Sequence, residues 1–372
     1  MKSVLILIDN LRIGGFQRVG LDEAYGLARM GHRVKIFVLD TEKNIDSHAF
    51  LKIESDRLDQ NGIKVEFIGN NILRQYGHLL TEQRLRRGVS LVISHSLRAT
   101  VLCKLATLPF VRTKNLFSTI HQLPALSRPI QRLKRFVYAQ FTDVLLAYSD
   151  AVKQDWEDRV SQSLLSRSLF RKKITVNRNG IYLDRLPVQS ELPMNNVGRL
   201  IFLGRNTNWK GLNTFINLAK SDALVSFDLL LIIPEFTIEN FISMAPDLSS
   251  RVKLISSNKL EDYVPNSGDV HIYPVNYGSS AKFIESISLN CLEMACMGIP
   301  SVVTRGGLET WRDVSDFGIF VEVDWNDLQQ AGNQVKCLSD SRDFCEKIED
   351  LSAIFRIEKH LEVYRLFLSQ DK

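Results

Sequence analysis

The chain has 372 residues, 45% of them hydrophobic and 24% charged, the composition of a globular protein of roughly two to three domains. No run of about 18 apolar residues occurs, which excludes a membrane-spanning helix. Cys103, Cys291, Cys296, Cys337 and Cys345 lack metal-ligand spacing and read as reduced, buried thiols of a cytoplasmic protein. The net charge of +5 is divided unevenly. Residues 1–190 hold 30 basic and 17 acidic side chains, net +13, against 17 and 25, net −8, in residues 191–372. Such an asymmetry points to an anionic surface as partner of the first half.

From the N-terminus, Ser3–Ile8 is a short apolar run ending at a charge, without a signal-peptide core or cleavage site, and reads as a strand. Further apolar, β-branched runs follow at 34–39, 64–68, 90–94, 116–120, 144–148 and 174–177. In the second half they stand at 199–203, 226–233, 252–255, 270–274, 300–303 and 318–322. Each is short and continuous, as a strand buried on both faces must be, and helical patterns lie between them. This is the signature of parallel βαβ units, and the fold class is α/β with two doubly wound Rossmann-like domains. A stretch with two prolines and a polar centre at Leu186–Gly198 separates the sheets. A long helical pattern from about Ser341 to Leu368 has no strand after it.

Several motifs stand where such sheets bind ligands, outside the carboxyl ends of strands. Gly14 and Gly15 follow the first strand and precede a helix beginning near Gln17. They do not follow the G-x-G-x-x-G dinucleotide pattern, which argues against a nicotinamide or flavin enzyme. His121 follows the strand ending Phe-Ser-Thr-Ile, and His95 is a weaker candidate at another strand end. Gly204-Arg205 and Lys210-Gly211 follow a strand and place two cations on a loop before a helix, where a diphosphate can be clamped. Glu285 and Glu293 lie eight residues apart. If the stretch between them is one helix, both face one side; with a turn between them, the first sits in the loop and the second in the first turns of the helix. Either arrangement lets two hydroxyl-binding carboxylates meet a ligand at a helix N-terminus, which itself favours phosphate. The segment Pro129–Tyr138, with Arg128, Arg132, Lys134 and Arg135, reads as a basic amphipathic helix for an acceptor at an anionic membrane, or else as a solvated helix face. Neither Asp-x-Asp after a strand nor a metal-ligand cluster is present.

In order and spacing, Gly14-Gly15-Phe-Gln-Arg18, His121, Ser149-Asp150, Asn179-Gly180-Ile181, Gly204-Arg205 with Lys210-Gly211, Glu285 with Glu293, and Gly306-Gly307-Leu-Glu309 resemble the retaining GT-B glycosyltransferases of family 4. The resemblance runs from about residue 3 to residue 322. It implies two domains facing each other across a cleft: an acceptor-binding domain at 1–188, a nucleotide-sugar-binding domain at 199–345, and a C-terminal helix at 346–372 crossing back to the first. It implies catalytic roles for His121, Glu285, Arg205 and Lys210. It places the donor against Gly14, Gly15, Arg205, Lys210, Glu285, Ser286, Ile287, Ser288 and Glu293, the last on the ribose. The family follows the first glutamate with Gly-Phe-Gly; Ser286-Ile287-Ser288 departs from this.

The expected function is transfer of a sugar, with retention, from a nucleotide diphosphate sugar to a glycan or polyprenyl-linked acceptor in cell-surface polysaccharide or lipopolysaccharide synthesis. No metal or other cofactor is expected, and no nucleic acid. The expected location is cytoplasmic, or peripheral on the inner face of the cytoplasmic membrane. The rival readings are a nucleotide-sugar 2-epimerase of the same fold and a nucleotide-sugar-binding protein without transferase activity.

Overall fold

The computed structural model describes residues 1–11, 15–41, 45–85, 89–107, 116–120, 141–160, 174–187, 198–206, 210–233, 236–255, 260, 262–275, 288–304, 318–341 and 348–369. The chain divides into two compact units, Met1–Tyr182 with Arg356–Lys372, and Leu183–Phe355.

The first unit is a parallel sheet of β1 (Ser3–Ile8), β2 (Arg33–Val38), β3 (Lys64–Phe67), β4 (Val89–Ser94), β5 (Leu116–Ile120), β6 (Val144–Ala147) and β7 (Ile174–Val176). The spatial order is β3-β2-β1-β4-β5-β6-β7. Helices α1 (Gly15–Arg29), α2 (Ile45–Gln60), α3 (Ile72–Leu85), α4 (Leu97–Thr107) and α5 (Asp150–Val160) alternate with the strands. The central strand shows why its sequence carries no polar alternation. Val4, Ile6 and Ile8 enter one core, while Leu5 and Leu7 enter the core on the other face.

Helix α1 begins at Gly15, two residues before the expected start near Gln17. Its buried face carries two carboxylates, Asp22 and Glu23, both fully enclosed. A buried charge is tolerated only with partners, and both have them. Asp22 Oδ2 accepts from the Tyr182 N–H at 3.2 Å. Glu23 Oε2 lies 2.8 Å from His95 Nε2, and Oε1 lies 2.7 Å from His360 Nε2 and accepts from Tyr364 O–H at 2.9 Å. Burial by itself raises the Glu23 pKa, but the charge of His95 and the hydrogen bonds from His360 and His95 outweigh it and hold the carboxyl well below its usual 4.5. His360 and Tyr364 stand on the last helix, Ile357–Leu368, so Glu23 fastens that helix to α1. Two glycines let it come close. A Cβ on Gly26 would lie 2.5 Å from Leu361 Cδ1, and one on Gly180 2.6 Å from His360 Cβ.

The second unit is a parallel sheet of β8 (Arg199–Leu203), β9 (Asp228–Ile232), β10 (Val252–Ile255), β11 (Asp269–Tyr273), β12 (Ser301–Thr304) and β13 (Phe320–Val323), in the order β10-β9-β8-β11-β12-β13. Its helices are α6 (Leu212–Ala219), α7 (Ile238–Met244), α8 (Leu289–Cys296), α9 (Leu328–Asp340) and α10 (Ile348–Phe355). Strands β8 and β11 are pinned at their amino ends. Arg199 donates to both oxygens of Asp269, at 2.6 and 2.5 Å, and Tyr263 O–H donates to the same carboxylate at 2.6 Å.

All thirteen strands stand where the apolar runs placed them, with ends within two residues. The tail differs. The single helical pattern expected after Ser341 contains two helices, α10 in the second unit and Ile357–Leu368 in the first, with a break at Arg356. Arg356 is extended, with φ −58° and ψ 136°, and makes a parallel bridge with Ile181, whose carbonyl accepts from the Ile357 N–H at 2.9 Å. Pairing with a residue distant in the chain overrides local helical periodicity here. No described helix is long and apolar enough to cross a membrane.

Because the Glu23 pKa is depressed in the folded state, its stabilising effect is complete above about pH 4.5 and is lost as pH falls through the folded value. Glu23→Gln is therefore expected to lower stability at pH 7 by ~1–3 kcal/mol, the cost of leaving buried hydrogen-bond partners mismatched. It is also expected to flatten the acid limb of the stability curve. Urea unfolding at pH 7 and pH 4 measures both.

Candidate functional site

In an open parallel sheet the strand order reverses at a switch point, where the two following helices lie on opposite faces and leave a crevice at the carboxyl ends. In the second sheet this point falls between β8 and β11. The residues that leave these strands, and the N-termini of α6 and α8, are consequently gathered on one edge.

After β8 come Arg205 and Asn206, both exposed. Lys210 is nearly buried, at 9% exposure. Its ammonium donates to the Tyr273 hydroxyl at 2.7 Å and stands 4.8 Å from the centroid of the same ring. Gly211 follows with φ 78°, in the left-handed region, and a side chain there would run into the Pro274 carbonyl. The Lys210-Gly211 turn is thereby seated on the end of β11. The turn delivers the chain into α6, and Gly211 supplies no side-chain cap to the first amides of that helix, which have no partner within the helix. Beneath Tyr273 on the same strand lies His271, fully buried, with Nδ1 2.9 Å from Ser301 Oγ and no hydrogen-bond partner for Nε2 among the described residues. Burial and the Lys210 charge push its pKa down to about 3, so the ring is neutral.

Helix α8 starts at Leu289. Ser288 before it is extended, with φ −67° and ψ 156°, so the helix does not continue back through Ser288 and the one-helix arrangement of Glu285 and Glu293 falls away. Glu293 is the fifth residue of α8, and its carboxylate is buried. Oε1 accepts from Arg185 Nη2 at 2.5 Å. Arg185 belongs to the turn Leu183–Arg185, which precedes the second sheet in the chain. The carboxylate expected on the ribose is thus oriented by a buried guanidinium. Asn290 Nδ2 donates to the Leu203 carbonyl at 2.8 Å and holds the start of α8 against the end of β8.

The first sheet has its switch point between β1 and β4. Gly15 there is exposed, with open space where a Cβ would be. Asp9 accepts from Ser96 O–H at 2.6 Å, and Gln17 Nε2 donates to Asn10 Oδ1 at 2.8 Å. Burial raises the Asp9 pKa, against the hydrogen bond from Ser96 and the charges of Arg98 and His95. His95 serves Glu23, as described above, and Ser149 Oγ accepts from the Val152 N–H at 3.2 Å as the cap of α5. Gly14, His121, Arg128, Arg132, Lys134, Arg135, Glu285, Ser286 and Ile287 lie outside the described residues.

The structure thus joins Lys210 to Tyr273 and Glu293 to Arg185, and the pattern of local motifs contained neither partner. Tyr273 carried one visible sign, the alternation of Asp269, His271 and Tyr273 with Val270 and Ile272 along the strand. Arg185 carried none, since its partner is 108 residues away. Arg185→Ala is expected to destabilise the second unit by ~3–5 kcal/mol because it leaves a buried carboxylate unpaired. The Arg185→Met/Glu293→Met double variant should recover most of that loss in urea unfolding.

Residues 13–185 match the Glycosyltransferase Family 4 profile. No curated protein matches the chain in sequence. Among solved structures, a glycosyltransferase from Rickettsia africae ESF-5 is 15% identical, with all of both chains covered and a TM-score of 0.69. Anabaena HepE, solved with UDP, is 16% identical, with 99% of this chain and 100% of that one covered and a TM-score of 0.68. AviGT4, a glycosyltransferase of avilamycin A biosynthesis, is 16% identical, with 99% and 98% covered and a TM-score of 0.59. The match over residues 13–185, the two parallel sheets and the full-length likeness to these structures give the chain the GT-B fold that these glycosyltransferases have.

Proposed function

We propose that this protein is a glycosyltransferase that takes its sugar from a nucleoside diphosphate sugar bound at the carboxyl edge of the second sheet and transfers it with retention of anomeric configuration. The observation that carries the reading is the seating of Lys210 at the β8/β11 switch point, beside the uncapped start of α6. One cation and a set of free amides are what a diphosphate requires. Arg205, exposed on the same loop, supplies a second cation. Glu293, held by Arg185, accepts from the ribose. Because HepE is solved with UDP, uridine is the first base to test.

Chemically, the bond from the anomeric carbon to the diphosphate breaks and a bond to the acceptor oxygen forms on the same face. The acceptor proton passes to an oxygen of the departing phosphate. Lys210, Arg205 and the helix start stabilise the charge gathering on that leaving group, and no metal is needed for this. His121 and Glu285 hold the sugar. Positioning supplies much of the remaining rate. The first unit receives a glycan or polyprenyl-linked acceptor of a cell-surface polysaccharide. Arg128, Arg132, Lys134 and Arg135, with the net charge of +13 in residues 1–190, support an approach to an anionic membrane from the cytoplasmic side.

The test is proton NMR of the anomeric signal during incubation with UDP-sugars and small glycoside acceptors. The expected product keeps the α configuration of the donor, and Lys210→Ala should lower kcat/KM by ~100-fold or more, as removal of a single charge-stabilising donor does. A product of inverted configuration contradicts the retaining reading. A C2-epimerised nucleotide sugar without transfer favours the epimerase, and binding without turnover of any donor favours the binding protein.

A further inference from the structure

Lys210 lies at an unusual point for a cation meant to meet a diphosphate, almost buried and close to the ring of Tyr273. A lysine stem has four rotatable bonds, and each held bond costs entropy, so an ammonium in a binding loop reaches its ligand from many directions unless something fixes it. Here three features fix it. The phenolic oxygen of Tyr273 accepts from Nζ at 2.7 Å. Gly211, left-handed and packed on the Pro274 carbonyl, fixes the backbone one residue beyond the lysine. Strand β11, which carries Tyr273, is locked to β8 by the Arg199–Asp269 pair at its other end. The aimed charge is also felt inside the strand, where it helps to keep His271 neutral.

We infer that Tyr273 is a positioning residue for donor binding, which holds the Lys210 ammonium at the β8/β11 edge so that it meets the diphosphate without prior ordering. The inference rests on the donor-site reading above and adds to it a residue outside the motifs that carry the resemblance. Phenol is suited to this role. It is neutral, so it orients the ammonium without cancelling its charge as a carboxylate would. A phenol that accepts from an ammonium also retains its own O–H for donation. Loss of the hydroxyl leaves the ring and its packing in place but removes one partner that orients the ammonium, so the effect falls on affinity for the diphosphate rather than on the fold.

The experiment is a double-mutant cycle on the full chain. Calorimetric titration gives Kd for whichever of UDP, GDP, ADP, CDP and dTDP binds the wild type tightest. The same nucleotide is then titrated into Tyr273→Phe, Lys210→Ala and the double variant, with melting temperatures taken alongside. The expected result is about tenfold weaker binding for Tyr273→Phe, ~1.4 kcal/mol. In the Lys210→Ala background the same change should cost less than about twofold, with the melting temperature of Tyr273→Phe near that of wild type. A purely structural tyrosine would weaken binding by the same factor in both backgrounds, and that result overturns the inference. Undiminished binding by Tyr273→Phe also overturns it while leaving the donor site intact. If no nucleoside diphosphate binds the wild type, the donor-site reading fails and the positioning role fails with it. Should Tyr273→Phe melt early, Tyr273→His supplies the rescue test, because an imidazole also accepts from the ammonium. Binding restored toward wild type supports the role, and binding lost equally in both variants overturns it.

Discussion

A parallel sheet buried on both faces satisfies its backbone within its own ladders and surrounds its strands with apolar side chains. Polar chemistry is therefore confined to the edges, and at the carboxyl edge it meets helix starts with unpaired amides. The central strands β1 and β8 obey that constraint, whereas β11 also buries His271 within its length. In β1 the alternate residues feed two separate cores, and the first polar groups, Asp9 and Asn10, stand directly beyond Ile8. In the second sheet the order reverses between β8 and β11, and Lys210, Gly211 and Tyr273 all stand at that reversal. The proposed donor site is a consequence of where a doubly wound sheet can carry charge.

The same interior dictates how charges inside it are held. Glu23, Asp269 and Glu293 are each at most 6% exposed, and each has a cationic or imidazole partner at 2.5 to 2.8 Å. Such pairs add little net stability compared with apolar packing, but breaking one is costly, so they specify which segments come together. Glu23 specifies the seat of the last helix in the first unit. The Arg199–Asp269 pair specifies the register of β8 against β11, and the Arg185–Glu293 pair the attachment of the turn Leu183–Arg185 to α8. Two of these three bear on the edge where Lys210 stands.

This division explains what the linear sequence made legible. Strands buried on both faces appear as continuous runs of Val, Ile, Leu and Phe, so all thirteen were readable to within two residues. Arg205 and Lys210 could be singled out because both lie in the short stretch between a strand and a helix. Partners brought in by topology could not: Tyr273 is 63 residues from Lys210, and His360 is 337 from Glu23. The break at Arg356 was hidden for the same reason, since Ile181 imposes it from a distant part of the chain. Glu293 was singled out by its spacing, but its burial and its guanidinium partner came only with the fold.

The central claim is that a nucleoside diphosphate binds at the carboxyl edge of the second sheet, between β8 and β11. Amide hydrogen exchange of the full chain with and without UDP tests this most directly. Binding there slows exchange at residues 204–212, at Tyr273 and Val275, and at the start of α8 around Leu289. Slowed exchange confined to the first unit, around Gly15 and Ser96, or unchanged exchange at all these positions under saturating UDP, would contradict it.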